Sequence, residues 1–205
     1  MKLQITYDFT NLQDALDIAQ KTAPHADILE VGTLLLYKEG IKAVEEFKKL
    51  FPKKEILVDA KISDRAEEAV KIFTKAGATI ITVLAGTQNK TIYKATQIAH
   101  ENDAKIALDL MDAYSMGQSA MDAAKLGVDY ILFNRSHDVE TETSIIDQWE
   151  SIKENTNIPV LISGKINNSN IQNILSLKPY GIVIGTAITK SEYPEKEAEF
   201  FKSLL

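Results

Sequence analysis

The chain has 205 residues, 45% of them hydrophobic and 25% charged, which is ordinary for a globular protein with a sizeable core. A net charge of -6, with both signs mixed along the chain, argues for solubility and against nucleic acid as the main partner. There is no cysteine, which excludes disulfides, a thiolate zinc site and a cysteine nucleophile.

Met1-Lys2-Leu3-Gln4 opens a strand-like run and lacks the apolar centre of a signal peptide. No apolar run approaches the ~20 residues that span a bilayer, so a cytoplasmic protein with no membrane partner is expected. Short apolar runs, several of them rich in Ile and Val, recur at residues 3–7, 28–31, 56–58, 79–84, 105–108, 130–133, 160–162 and 182–184. Continuous runs of this kind suit parallel strands buried on both faces. Amphipathic stretches such as 12–22, 40–50, 66–76, 92–101 and 115–126 lie between them. Their apolar residues recur at three- and four-residue spacing, as at Ala69, Ile72 and Phe73. Gly77 and Gly127 follow two of these helices at matching joints, where a left-handed residue ends a helix before the next strand. Trp149, one turn after Ile145 and Ile146, reads as helix-to-barrel packing. Residues 191–205 read as the last helix, with Pro194 near its start. Eight strand-helix units fit one (β/α)8 TIM barrel domain over residues 1–205. The runner-up is an open doubly wound sheet. The count of eight and the lack of a GxGxxG turn after the first strand favour the barrel.

Active sites of such barrels lie at the carboxyl ends of the strands. Those ends carry Asp8, Glu30, Asp59 with Lys61, Thr82, Asp109, Asn134, Gly164 and Gly185. In an extended strand alternate residues share a face, so Asp59 and Lys61 point the same way. Buried carboxylates that converge share a cation or a proton. Lys61 is one cation, and a metal ion is the natural second. Oxygen-only ligands point to magnesium rather than zinc. Each acid alone also reads as a helix cap, and Asp8 before Phe9-Thr10-Asn11 fits that well. Glu30 fits it poorly, because glutamate is a weak N-cap. The strands ending at Gly164 and Gly185 occupy the seventh and eighth positions, where barrels commonly bind phosphate. His25 and His100 fall in or after helices and read as surface residues. His137, after the sixth strand, is a candidate acid or base.

Asp59-x-Lys61-x-x-Asp64 after a third strand resembles the signature of the orotidine 5'-monophosphate decarboxylase suprafamily. Ile28-Leu29-Glu30-Val31-Gly32-Thr33 and Lys38-Glu39-Gly40 resemble its sugar-phosphate branch, which contains 3-hexulose-6-phosphate synthase and 3-keto-L-gulonate-6-phosphate decarboxylase. The likeness extends from Leu3-Gln4-Ile5-Thr6-Tyr7-Asp8 through Thr82-Val83-Leu84 to Val183-Ile184-Gly185-Thr186-Ala187-Ile188-Thr189, essentially the whole chain. The resemblance implies homodimers with shared active sites, in which Asp64 reaches into the neighbour's site. It implies magnesium on Glu30 and Asp59, with Lys61 and the partner-facing Asp64 flanking the reacting carbons. It implies substrate hydroxyls on Asp8, a catalytic Asp109, and the phosphate of a sugar on Gly164, Gly185 and Thr186. Both enzymes form a 1,2-enediolate, whose negative charge a metal and a lysine stabilise.

The departures are specific. Asn134 stands where the branch usually has a proton-moving histidine, and an amide cannot act as a general base. It remains a substrate-binding candidate. His137 stands three residues on, where the decarboxylases carry an arginine, and is the candidate replacement. Leu34 replaces a proline frequent in the synthases, and Thr186 replaces an arginine that grips phosphate. Asp109 and the loop containing Met111 favour a synthase that joins ribulose 5-phosphate to formaldehyde. Arg135-Ser136-x-Asp138 favours the decarboxylase. Asn134 favours a third reading, a sugar-phosphate-binding protein that has lost turnover. A pyrimidine-nucleotide decarboxylase is disfavoured by Glu30, a metal ligand that metal-free chemistry does not need.

Overall fold

The computed structural model describes residues 1–135 and 145–205. His137 therefore lies outside the described residues. Eight strands form a closed, all-parallel barrel in chain order. They are β1 (Lys2–Tyr7), β2 (Ile28–Val31), β3 (Glu55–Ile62), β4 (Ile80–Leu84), β5 (Lys105–Asp109), β6 (Tyr130–Asn134), β7 (Val160–Ser163) and β8 (Gly181–Ile184). β8 closes on β1 with Leu3 opposite Ile182. The expected (β/α)8 barrel is therefore the observed architecture.

The outer wall is covered by α1 (Leu12–Thr22), α2 (Thr33–Glu39), α3 (Ile41–Leu50), α4 (Ala66–Lys75), α5 (Asn89–His100), α6 (Met116–Lys125), α7 (Ile145–Lys153), α8 (Ile171–Ser176), α9 (Thr186–Thr189) and α10 (Pro194–Ser203). Strand periodicity divides the core in two. Leu3, Ile5, Leu29, Val31, Ile56, Val58, Ile81, Val83, Ile131, Phe133, Ile162 and Ile184 face outward and pack under the helices, with Trp149 and Phe201 among them. Ile28, Leu57, Ile80, Ala107, Tyr130, Leu132, Leu161 and Val183 face inward and form a separate cluster inside the barrel. Each fully buried Leu, Ile or Phe contributes roughly 1.5–3 kcal/mol relative to exposure. That explains why the outward strand positions and the middle inward layer are apolar.

The inner apolar layer is shallow. The next inward positions along the same strands are Gln4 and Thr6, Glu30, Asp59, Thr82, Asp109, Asn134 and Ser163, so the barrel turns polar towards its carboxyl end. Three local features differ from the sequence reading. β3 runs past Val58 to Ile62, with an irregular register against β4 between those two residues. Lys61 sits in that irregularity at φ +46°, a left-handed conformation unusual for a lysine. A helix, α2, already starts at Thr33, and Gly40 at φ +60° separates it from α3. Finally, the side chain that caps α1 is Asn11, whose Oδ1 accepts from the backbone N–H of Asp14 at 3.1 Å, and not Asp8. Gly77 and Gly127 have φ of +100° and +78°, as the repeated joints required.

Candidate active site

The site begins at the bulge in β3. Asp59 is 7% exposed, and its carboxylate pairs with the Lys61 ammonium two residues on. The bulge makes this possible by turning the Lys61 backbone, so that a neighbour along one face folds back over Asp59. The Lys61 ammonium lies 3.9 Å from Asp109 Oδ2 on β5. Burial pulls its pKa down, but Asp59, and then Asp109 and Glu30, outweigh that and hold the amine above its usual range. Lys61 is therefore a fixed cation at neutral pH.

Glu30 projects from β2 and is 6% exposed. Its Oε2 accepts from Gln4 Nε2 at 2.5 Å and its Oε1 from Thr6 Oγ1 at 2.9 Å. Burial, and next the charge of Asp59, push its pKa up to about 8 despite these two donors. Asp109 is fully buried; burial first and Asp59 second push its carboxyl up to about 6. Its Oδ1 accepts from the backbone N–H of Met111 at 2.9 Å and its Oδ2 from Asn134 Nδ2 at 3.2 Å. Three acids thus face one lysine, which leaves the cluster short of positive charge, and two of them resist ionisation because they are buried and lie beside the charge of Asp59.

That shortage is a test of whether a hard cation fits. A carboxylate oxygen has two lone pairs. Glu30 Oε1, Glu30 Oε2 and Asp59 Oδ1 each accept one hydrogen bond and keep one lone pair. Gln4 Oε1, buried beside Glu30, has no hydrogen-bond partner among the described residues. Among the described residues no three His, Cys, Asp or Glu side chains gather closely enough to hold a metal by themselves. Magnesium does not need such a cage, since it keeps several waters and binds through one or two carboxylates. Glu30 and Asp59 fit it.

The other expected residues fall into two groups. Asp8 is exposed and spends Oδ1 on the backbone N–H of Leu34, 2.7 Å away at the start of α2. Gly32 is required beside it, since a Cβ there would lie 2.7 Å from Asp8 Oδ1. Gly164, at φ +113°, packs on Arg135, whose Cβ would be 2.9 Å from a Cβ at 164. Gly185 packs on Thr6, whose Cγ2 would be 2.8 Å from a Cβ at 185. β7 and β8 are adjacent, so Gly164 and Gly185 sit side by side, with exposed Thr186 starting α9. Asp64 is exposed two residues beyond β3 and has no side-chain partner among the described residues, so this chain alone does not bring it to Lys61. Away from the site, His100 is a surface residue paired with Asp129 at 3.0 Å. Gln4 and Thr6 were missed in the sequence, although polar residues at 4, 6 and 8 of one buried strand are the signal for an inward polar face.

The profile of the orotidine 5'-phosphate decarboxylase / HUMPS family matches residues 1–201. The chain belongs to that family. The 3-hexulose-6-phosphate synthase of Bacillus subtilis (strain 168) is 30% identical over 207 residues, spanning 100% of this chain and 99% of its own. The crystal structure of 3-hexulose-6-phosphate synthase from Salmonella typhimurium superposes with a TM-score of 0.94 at 28% identity, covering 100% of this chain and 98% of that one. The 3-keto-L-gulonate-6-phosphate decarboxylase of Vibrio cholerae superposes with a TM-score of 0.87 at 28% identity, covering 98% and 95%. These relatives put the family member described here on the synthase and decarboxylase branch.

Proposed function

We propose that the protein is a carbon-carbon lyase of the 3-hexulose-6-phosphate synthase type, joining ribulose 5-phosphate and formaldehyde. The observation that supports this most is the Asp59–Lys61 pair beside Glu30 and Asp109, at the carboxyl end of a barrel similar to that synthase over its whole length. Glu30 and Asp59 would hold magnesium, which would supply Lewis-acid polarisation of the sugar carbonyl. Loss of a C1 proton then gives a 1,2-enediolate, and C1 attacks the formaldehyde carbon. The Lys61 ammonium offers positive charge to the enediolate oxygens as they form. Asp109, with a pKa near the working range, takes or returns a proton within reach of Lys61. Asp8 and Asn134 meet substrate hydroxyls, and Gly164, Gly185 and Thr186 cradle the phosphate through the backbone. His137 is the candidate second acid or base. Asp64, exposed and unpaired with Lys61 in its own chain, completes the site of a second copy in a cytoplasmic homodimer.

The decarboxylase is the second reading, favoured by the seating of Arg135 against Gly164 and by the 28%-identical Vibrio structure. A binding protein without turnover is the third, favoured by Asn134, whose amide is already engaged with Asp109. One panel separates them: magnesium with ribulose 5-phosphate, with and without formaldehyde, and separately with 3-keto-L-gulonate 6-phosphate. Formaldehyde-dependent hexulose phosphate supports the synthase. Carbon dioxide release from the ketogulonate supports the decarboxylase. Binding with neither product, and no exchange of the sugar's C1 proton with solvent, would leave the third reading alone.

A further inference from the structure

Two threonines on elements either side of β3 meet the Asp59–Lys61 pair in the same way. From the first position of α2, Thr33 Oγ1 lies 2.6 Å from Asp59 Oδ2, 3.1 Å from the Asp59 backbone carbonyl oxygen and 2.9 Å from the Lys61 ammonium. From β4, Thr82 Oγ1 lies 3.0 Å from Asp59 Oδ1 and 2.9 Å from the Lys61 backbone nitrogen. Chemistry fixes the direction of these contacts. An ammonium and a backbone N–H only donate, so both hydroxyl oxygens accept from Lys61. A carboxylate only accepts, so both hydroxyl protons point to Asp59. Each hydroxyl therefore joins Asp59 to one nitrogen of Lys61. Together they tie down both ends of a lysine whose backbone stands at φ +46°. A left-handed, non-glycine residue costs of the order of 1–3 kcal/mol and persists where its surroundings over-determine it. Here the over-determination is visible: Thr82 holds the backbone and Thr33 holds the ammonium.

We propose that Thr33 and Thr82 are positioning residues that set Lys61 against Asp59 for the reaction. This rests on the reading above that Lys61 and Asp59 do the chemistry. Each hydroxyl has its proton on Asp59 and accepts from Lys61, and Thr82 is fully buried, so these hydrogen bonds run within the pair. Their action is on Lys61, not on the sugar.

The test is Thr33→Val and Thr82→Val, which keep the branched shape and lose the hydroxyl, with Thr33→Ser and Thr82→Ser as the conservative pair. Two quantities are read: kcat and KM in the panel above, and the rate at which acetic anhydride acylates Lys61 at fixed pH, by peptide mass spectrometry. Lys49, whose side chain is 77% exposed, serves as the internal standard for the reagent, and Lys2, paired with Glu55 and 31% exposed, reports unfolding by labelling faster. A hydrogen bond to a charged group is worth enough that each valine variant should lose on the order of tenfold or more in kcat, with KM unchanged. In Thr33→Val, Lys61 should acylate on the order of tenfold faster while Lys49 stays constant, and the serine variants should return to wild-type behaviour. Wild-type kcat in both valine variants overturns the proposal. So do serine variants as impaired as the valine ones, or a rise in KM alone, which would put the hydroxyls on the substrate. If the wild type turns over nothing, the functional reading fails by itself. The acylation comparison still decides the positioning claim: unchanged Lys61 labelling in Thr33→Val rejects it.

Discussion

Asn134 donates its side-chain amide to Asp109 Oδ2 across the β5–β6 seam, 3.2 Å away. Asp109 pairs in register with Leu132, and Asn134 is the next residue of β6 on the same inward face, two positions on. The family's usual histidine is absent from position 134, and the asparagine supplies a donor without a titrating group. The titrating groups that face one another inside this end of the described barrel are Lys61, Glu30, Asp59 and Asp109. Asp109 at about 6 and Glu30 at about 8 lie on either side of neutrality.

Stability should fall as pH rises through the range of Asp109. Its carboxyl titrates near 6 in the fold and about 3.9 in an unfolded chain. A raised pKa favours the protonated form, so its contribution is complete below the unfolded value and is lost as pH climbs through about 6. The slope approaches about 1.4 kcal/mol per pH unit while one proton separates the two states. Denaturant unfolding of wild type and Asp109→Asn from pH 4 to 7 measures it. The difference between the two should shrink as pH rises; a flat difference rejects the assignment.

Magnesium binding should expel a proton at neutral pH. Glu30 titrates at about 8, so near pH 7 it is mostly protonated, and a carboxylate must be ionised to take a metal. Calorimetry in buffers of different ionisation enthalpy should show release of about one proton per ion at pH 7 and almost none above pH 9. Glu30→Gln should abolish both the release and most of the affinity. Metal binding with no proton release at pH 7 counts against Glu30 as a ligand.

Gly185→Ala should damage the phosphate end selectively. Its new methyl would sit 2.8 Å from Thr6 Cγ2, and Thr6 also holds Glu30 through its hydroxyl. Overpacking of this kind costs roughly 1–3 kcal/mol. KM for the sugar phosphate should rise, and Thr6→Ser, which removes the opposing methyl but keeps the hydroxyl, should restore it in the double variant. A double variant no better than Gly185→Ala alone would place the damage elsewhere.

Leu34→Pro should release Asp8. Proline has no N–H, so the 2.7 Å hydrogen bond that fixes Asp8 Oδ1 at the start of α2 becomes impossible. Asp8→Ala removes the same bond from the other side, at a cost of about 1 kcal/mol typical of an N-terminal helix contact. Thermal unfolding should show the two losses as non-additive in the double variant, because they delete one interaction. Additive losses would mean that the bond contributes little.

Much of this molecule is legible in its sequence because barrel strands obey a simple constraint. Strands covered by helices outside and packed inside must be apolar nearly throughout, so Ile28 to Val31 or Val160 to Ile162 stand out without any fold in hand. Each carboxylate at the end of such a run costs free energy unless it has a purpose, which is why Glu30, Asp59, Lys61 and Asp109 were identifiable. The helix joints at Gly77 and Gly127 were legible for a similar reason, since only a left-handed residue reverses the chain there cheaply.

Other features depend on distances between strands, which the order of residues does not contain. Sequence spacing placed Asp59 and Lys61 on one face, and the tertiary structure decided that a bulge in β3 folds the ammonium back onto the carboxylate. Asp8 looked like a cap for the turn that follows it; pairing of β1 with β2 makes it an acceptor for α2 instead. Gln4, Thr6 and Thr33 gain their roles only when β1, β2 and β3 lie side by side. By itself the sequence determined the barrel and the chemical types at its mouth, because those follow from periodicity and the cost of burying charge. The tertiary structure alone decided which oxygen meets which nitrogen, and how burial and the charge of Asp59 raise Glu30 and Asp109 together.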